Sequence, residues 1–403
     1  MNAKPSTTDV GERTELSDEL IRRAEGLVPL LREKAPEAEA LRHLSPTVVE
    51  ALSQADLLSL GTPAPLGGHG VDLETMFEIG YLLGQGCTST AWCWQIWTLH
   101  SWFTGFMSPE AQQDIYAEGP DVIISSGYNP AGAIVELADG GCMLSGRWGF
   151  SSGVDHARWV VLGATLPGVK RPEGALSLLM FLPRDQVEVD DDWHVMGLKG
   201  TGSKSIVIKE PVFVPEYRYL DMHGAENGPA RTLYSRVSYG LPPAVSMGFV
   251  VVSPFIGAAR AVVDEFSEDM RVRQDSLTRA SKTERASIQV RIGEAAAEVD
   301  AALYLARSAQ SEMMGVGACG ETLTAEQRAR YRLHQTYDVE LARRAVTRLF
   351  EISGTAGMFD RSSMLRRFLD IYAGAKHFSH RWDEYTESYG RVRLGLEANA
   401  IQR

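Results

Sequence analysis

The apolar residues of this chain change their period twice, and that double change constrains the fold more than any single motif. From about Glu15 to Gly119 they recur every three or four positions. Leu20, Ala24, Leu27, Leu31 and Ala35 share one face of an expected first helix, with Ser17 as its N-cap. Ser45–Pro46 and Ser108–Pro109 each offer a cap followed by a first-turn proline, and two apolar helices are expected from Asp72 to Gly84 and from Thr88 to Phe106. Near Asp121 the texture shifts. DVIISSGYN, CMLSGRWGFSSG, ARWVVLGATL, LSLLMFLP and KSIVIKEPVFVP are short β-rich runs broken by Gly, Pro and Asp, the pattern of an antiparallel β-domain. Beyond Pro229 the helical spacing returns, with Ile288, Ile292, Ala295, Val299, Leu303 and Ala306 in one stripe. The expected fold is therefore α+β: an N-terminal helical domain over 1–120, a middle antiparallel β-domain over 121–229 and a C-terminal helical bundle over 230–403. At 403 residues the chain exceeds what one core usually fills, which agrees with that division.

Charge and motif content remove whole classes of function. The formal net charge is -12, and Lys and Arg do not cluster as a phosphate-tracking surface requires, so no nucleic-acid partner is expected. The polar N-terminus has no apolar leader core, and no run approaches the roughly 18 apolar residues of a membrane span. The four cysteines, Cys87, Cys93, Cys142 and Cys319, form no CxxC pair. They read as reduced thiols of a cytoplasmic protein, and no metal site is expected. There is no GxGxxG after a strand, no GxxxxGK[ST] and no HExxH. Chemistry, if present, rests on a cofactor outside those classes.

Four segments remain as candidates. GTPAPLGGHGVD (61–72) breaks two helices. In IISSGYNPAG (123–132) a β-run delivers two hydroxyls and then turns. SGRWGFSSGVDHARW (145–159) again ends a strand on paired serines, and MGLKGTGSKSIVIKEPVFVP (196–215) is a tight polar loop feeding a strand. Strand ends that carry hydroxyls and free N–H groups can donate to the carbonyls of a flat heterocycle.

In this order and spacing, LGGHGVD, IISSGYNPAG, GRWGFSSGVDHARW and GLKGTGS with VFVP resemble the acyl-CoA dehydrogenase superfamily over nearly the whole chain. FSSGVDHA, GLKGTGS and the terminal YGRVRLGL resemble its flavin-dependent monooxygenase branch, which includes the oxygenase components of two-component phenol hydroxylases. The dehydrogenases place a carboxylate base in an EGT-like sequence soon after an Arg-Asp pair. Here the matching stretch is RRFLDIYAGAKHFSH, EGT is absent, and the position falls at or beside His377. The resemblance implies an oxygenase that takes diffusible reduced FMN or FADH2 from a separate flavin reductase. It would react that flavin with O2 to a C4a-(hydro)peroxyflavin and hydroxylate a small, aromatic or phenolic substrate, as a homotetramer without metal. Two other readings stay open: an N-oxygenase of an amine or amino sugar on the same fold, and an acyl-CoA dehydrogenase.

Residue roles follow from the same resemblance. Ser151 is expected beside flavin N5, with Ser152 as the neighbouring alternative. His377 is expected near the flavin as proton donor, with His380 second because it could share a helix face. His100, at the end of the aromatic run AWCWQIWTLHSWF, is expected to bind or deprotonate a phenol. Ser126 and Tyr128 are expected to contact the cofactor. Arg271 and Arg273 are expected on its phosphate side, and Ser353, Gly354 and Gly357 of EISGTAG in a loop against a neighbouring subunit's flavin. A helix-breaking turn explains those glycines equally well. Trp92, Trp94, Trp97 and Trp102 read first as core.

Overall fold

The computed structural model describes residues 14–170, 177–234, 236–274, 279 and 281–399. Five helices come first: α1 (Glu15–Leu41), α2 (Pro46–Gln54), α3 (Leu73–Gly86), α4 (Thr88–Phe103) and α5 (Pro109–Ile115). Local chemistry sets their starts. Thr14, not Ser17, caps α1: its hydroxyl accepts the N–H of Ser17, three residues on, and Ser17 is buried in the first turn where it accepts a hydrogen bond from Thr75. Asp72 and Ser108 cap α3 and α5 in the same way, whereas Ser45 has cap geometry before α2 without a side-chain cap bond.

The middle region folds as two four-stranded sheets built from β1 (Ile124–Gly127), β2 (Ala133–Ala138), β3 (Gly141–Ser151), β4 (Trp159–Ala164), β5 (Leu178–Pro183), β6 (Glu188–Asp190), β7 (Lys204–Pro215) and β8 (Tyr219–Leu220). One sheet has the order β1-β4-β5-β8 and the other β2-β3-β7-β6. One pair departs from the expected antiparallel arrangement. β1 runs parallel to β4, with Ile124 opposite Trp159 and Gly127 opposite Leu162. Parallel neighbours need a long crossover, and the β2–β3 hairpin of the facing sheet supplies it. Both strands are buried along their whole length, as parallel strands generally are. Leu144, Trp148, Val160, Leu162, Met180 and Ile206 fill the space between the sheets.

The remaining helices are α6 (Ala230–Leu233), α7 (Pro243–Ser246), α8 (Gly248–Val272), α9 (Ala286–Ala318), α10 (Ala325–Ile352), α11 (Ser363–Gly374) and α12 (Trp382–Arg393). α9 and α10 are laced by Arg330–Glu312, Arg344–Glu298 and Arg348–Glu294 ion pairs, whose descending and ascending numbers mark an antiparallel pair. An 18-residue stretch within Pro243–Val272 has a mean hydropathy of 1.7, so by length and composition one segment reaches membrane-span length. That stretch is 89% buried inside the protein, because α8 is the shared core helix against which α3, α9 and α10 pack. A buried Glu78 on α3 takes both guanidinium nitrogens of Arg307 on α9 at 2.7 Å, tying the two helical regions together. One apolar core runs through both, from Leu20 to Ile371, and the β-sandwich core is separate.

A candidate flavin and substrate site

Three elements meet where the helical core touches the β-domain. The first is α4, whose Trp92, Ile96 and His100 stand four residues apart and so lie along one helix face. The second is β1. Its side chains alternate, so Ser125 and Ser126 point to opposite faces while Ser126 and Tyr128 share one. Ser125 reaches β3, where its hydroxyl lies 2.9 Å from that of Ser151. Tyr128 reaches α4, where its hydroxyl lies 2.5 Å from Nε2 of His100. The third is the link between α11 and α12, residues 375–381. α11 packs so closely on Phe255 of α8 that a Cβ on Gly374 would come within 2.2 Å of that ring. The buried Arg367 adds a 2.8 Å bond to the carbonyl of Gln85 and an ion pair with Glu265. Thus held, the link lays His377 edge-on to Trp92 (5.0 Å between ring centres) and Phe378 edge-on to Tyr128 (6.5 Å).

The result is a continuous wall: His100, Tyr128, Phe378, His377, Trp92. Trp92 also donates its indole N–H to Ser152 at 3.0 Å, and Ser152 continues through Ser203 to Thr201 in a buried hydroxyl chain. The GTGS loop is thereby bonded to the FSSG turn. α11 fixes the same loop from the other side, where the buried Asp370 carboxylate accepts the N–H of Leu198 at 2.6 Å. Leu198 adopts a left-handed backbone, φ 55°.

The two histidines of this wall are neutral, and their tautomers are opposite. Nδ1 of His100 lies 2.6 Å from the carbonyl oxygen of Ile124. A carbonyl only accepts, so Nδ1 carries the proton and Nε2 offers a lone pair, which Tyr128 fills. Burial pushes the His100 pKa down to about 4, against the opposing effect of the Ile124 bond. In His377, Nδ1 accepts the backbone N–H of Ser379 at 3.4 Å and lies 2.6 Å from the Ser379 hydroxyl. Nε2 therefore carries the proton. Burial first, then the positive charge of Arg332, hold the His377 pKa down to about 3. His377 stays partly exposed, whereas His380 is buried, packs edge-on to Phe255 and leaves Nδ1 without a partner among the described residues. The two do not share a helix face: α11 ends at Gly374, and His377 instead opens a short 3-10 turn.

Arg332 was not singled out by sequence reasoning. It is buried on α10, stacks 4.4 Å over the ring of Tyr385, and bonds that hydroxyl and Gln335. Ser125, Phe378 and Ser203 were missed as well. Only the SSG and GTGS spellings hinted at the two serines.

Two similarities match this geometry. Residues 249–382 match the acyl-CoA dehydrogenase C-terminal domain family. Over 380 residues the chain is 32% identical to the oxygenase subunit HsaA of a flavin-dependent monooxygenase from Rhodococcus jostii (strain RHA1), covering 93% of this chain and 98% of that one. The chain belongs to the flavin-dependent monooxygenase oxygenase subunits. It is also 30% identical, over 94% of each chain, to the oxygenase component of an FADH2-dependent resorcinol hydroxylase from Rhizobium sp. (strain MTP-10005). The solved structure of 3-HSA hydroxylase from Rhodococcus sp. RHA1 superposes with a TM-score of 0.88 at 29% identity, covering 95% of this chain and 98% of that one.

The residues of this monooxygenase fit a flavin. A planar ring with N–H groups and carbonyls would find the His377 N–H, the Ser126 hydroxyl and the rings of Trp92 and Phe378 here. Ser151 is fully buried with its hydroxyl on Ser125, so the structure places it behind the wall rather than on it. Tyr128 spends its hydroxyl on His100. The phosphate-side candidates form a separate cluster. Arg273 donates to the carbonyl of Ser353 at 3.1 Å and pairs with Asp269 at 2.7 Å, while Arg271 is exposed. Gly354 has φ 72°, and a Cβ on Gly357 would stand 2.1 Å from the Ser353 hydroxyl, so the EISGTAG turn needs both glycines. A surface groove of about 530 Å³ beside Trp159 contains none of these residues, and its Arg158 pairs with Glu118. Among the described residues no group of three or more His, Cys, Asp or Glu could hold a metal ion.

Proposed function

We propose that this oxygenase component binds diffusible reduced FMN or FADH2 against the His377–Trp92 part of the wall and hydroxylates a small phenolic substrate held at the Tyr128–His100 part. One observation carries the reading: the neutral N–H donor His377 and the Tyr128 hydroxyl, backed by the neutral acceptor His100, belong to one wall of aromatic rings. The reduced flavin supplies the electrons that activate O2. His377 offers its Nε2 proton where charge develops on oxygen, and the rings of Trp92, Phe378 and Tyr128 exclude water. The resorcinol and HsaA relatives support the aromatic substrate class and the separate flavin reductase. Arg273 with the Ser353–Gly357 turn is the proposed contact for the flavin's phosphate side, approached across a subunit interface of a homotetramer. The acyl-CoA dehydrogenase reading gains no residue here, since no carboxylate belongs to this wall, whereas an N-oxygenase would share the His377 donor and have no need of His100.

The test is to mix the protein anaerobically with photoreduced FMN or FAD and then add oxygenated buffer in a stopped-flow instrument. A near-ultraviolet band that outlives the free-solution reaction before oxidised flavin appears is the expected result. Reoxidation as fast as in buffer would overturn the reading.

A further inference from the structure

We infer that Tyr128, rather than His100, is the residue that meets the substrate, and that it passes the substrate's hydroxyl proton inward to His100. This rests on the phenol-hydroxylation reading above.

The geometry leaves His100 no open side. It is 1% exposed, Nδ1 is taken by the Ile124 carbonyl, and Nε2 by the Tyr128 hydroxyl. Phe103 lies against its ring at 5.7 Å. Tyr128, by contrast, is partly exposed, and its ring faces Phe378, which is itself 37% exposed. Tyr128 therefore covers the Nε2 side of His100 and is the more exposed of the two. Its backbone is held firmly, because its carbonyl accepts the Ser177 hydroxyl at 3.2 Å, and a Cβ on Gly163 would lie 2.0 Å from that same oxygen.

Bond accounting at the Tyr128 oxygen then sets the substrate class. Its proton goes to His100 Nε2. The lone pairs of the oxygen remain, so the position accepts a donor and has nothing to give. A phenol satisfies it; the corresponding methyl ether leaves it bare and loses the contact. The transfer balances without any co-reactant. The substrate O–H breaks as its proton bonds the Tyr128 oxygen, and the Tyr128 O–H breaks as that proton bonds His100 Nε2. The electron pair stays on the substrate oxygen. His100 becomes imidazolium, still donating from Nδ1 to Ile124, and the new phenolate charge beside Tyr128 offsets the burial that otherwise keeps the ring neutral. The substrate ring, now bearing a phenolate, is richer in electrons at the carbon to be hydroxylated.

The experiment uses the whole protein with reduced FMN under anaerobic conditions, where no turnover occurs. The probe is 4-hydroxyacetophenone, whose phenolate absorbs apart from its phenol, with 4-methoxyacetophenone as the control. In the wild type the bound phenol is expected to ionise at lower pH than in buffer and to bind about tenfold or more tightly than the ether. Tyr128→Phe should abolish both differences. His100→Gln should abolish the ionisation shift and keep the preference for phenol over ether, because the tyrosine oxygen remains. Thermal unfolding checks that each variant folds, and the His100→Gln result stands alone if Tyr128→Phe does not. If Tyr128→Phe retains both differences while His100→Gln loses both, the substrate reaches His100 directly and the inference is overturned. It is equally overturned if neither substitution changes either reading. If the wild type also gives no long-lived near-ultraviolet band on adding O2, the hydroxylase reading itself has failed. A wild type that gives the band without the Tyr128 effects isolates the failure to this inference.

Discussion

His100 and His377 invite comparison because burial leaves both uncharged, yet one wall fixes them in opposite tautomers. At the β-domain side a strand carbonyl claims the His100 Nδ1 proton, so the ring offers a lone pair. At the α11–α12 link a backbone N–H and a hydroxyl claim the His377 Nδ1 lone pair, so the ring offers a proton. The same residue type becomes acceptor in one place and donor in the other through a single neighbouring backbone group. A flavin hydroxylase needs both functions at once, one for the phenol and one for oxygen.

Removing the donor should break the comparison most severely. His377→Ala is expected to lower hydroxylated product per reduced flavin consumed by about 100-fold or more, the range of a lost general acid. Hydrogen peroxide should appear in its place, which a coupled peroxide assay reads. A variant that still couples fully would leave His377 without the role given to it. Removing the acceptor should cost less, because the phenol can still dock on Tyr128: His100→Gln should lower kcat/KM for a phenol by about 10- to 100-fold. Steady-state kinetics on a phenol and its methyl ether would check this, and an equal loss for both would argue for a merely structural histidine.

Much of the frame was legible in the sequence. The α–β–α order shows in period and turn chemistry, while His100, His377 and the weight given to the FSSG and GTGS loops were legible only through the family resemblance. What escaped depends on contacts between distant segments. Nothing near Ser125 announces that its hydroxyl meets Ser151 rather than a cofactor. The parallel β1–β4 pair is set by a crossover through the other sheet, which alternation within a strand does not report. Arg332 reads as one more solvated arginine of a long amphipathic helix, and only the packing of α12 reveals it as buried under Tyr385. His380 looked like a helical neighbour of His377 because nothing in AGAKHFSH marks where α11 stops.

Acid sharpens the comparison further. Both folded-state pKa values, about 4 and about 3, lie below the ordinary value near 6.5. Between roughly pH 6.5 and those values the unfolded chain binds protons that the folded one refuses. Stability therefore falls as pH falls through this window, by at most about 1.4 kcal/mol per pH unit for each histidine. Asp370, raised to about 6 by burial, pulls the other way. Each contribution should thus be read as a difference: the pH slope of unfolding free energy should be shallower in His100→Gln and in His377→Gln than in the wild type. Identical slopes would contradict the assignment of both rings as neutral.

The smallest effect separates the two sites from each other. Arg332 acts on His377 and not on His100. Arg332→Met should raise the His377 pKa only part of the way toward 6.5, since burial is the larger cause, and leave that of His100 in place. Imidazole NMR titration would show it, and a parallel rise in both would mean that the charge acts through the whole wall.

The Ile124 carbonyl has a consequence for how this enzyme can change. The group that decides the His100 tautomer is main chain, present whatever residue occupies position 124. Point mutation there can alter bulk, but it cannot delete the oxygen. The proton-accepting end of the site is therefore shielded from single-codon loss, and its inheritance is tied to the pairing of β1 with β4. The donating end is less protected: the Ser379 N–H persists in any residue but proline, but its hydroxyl, the shorter contact at 2.6 Å, can be lost in one step. Divergence among relatives should accordingly reach the flavin side before it reaches the phenol side.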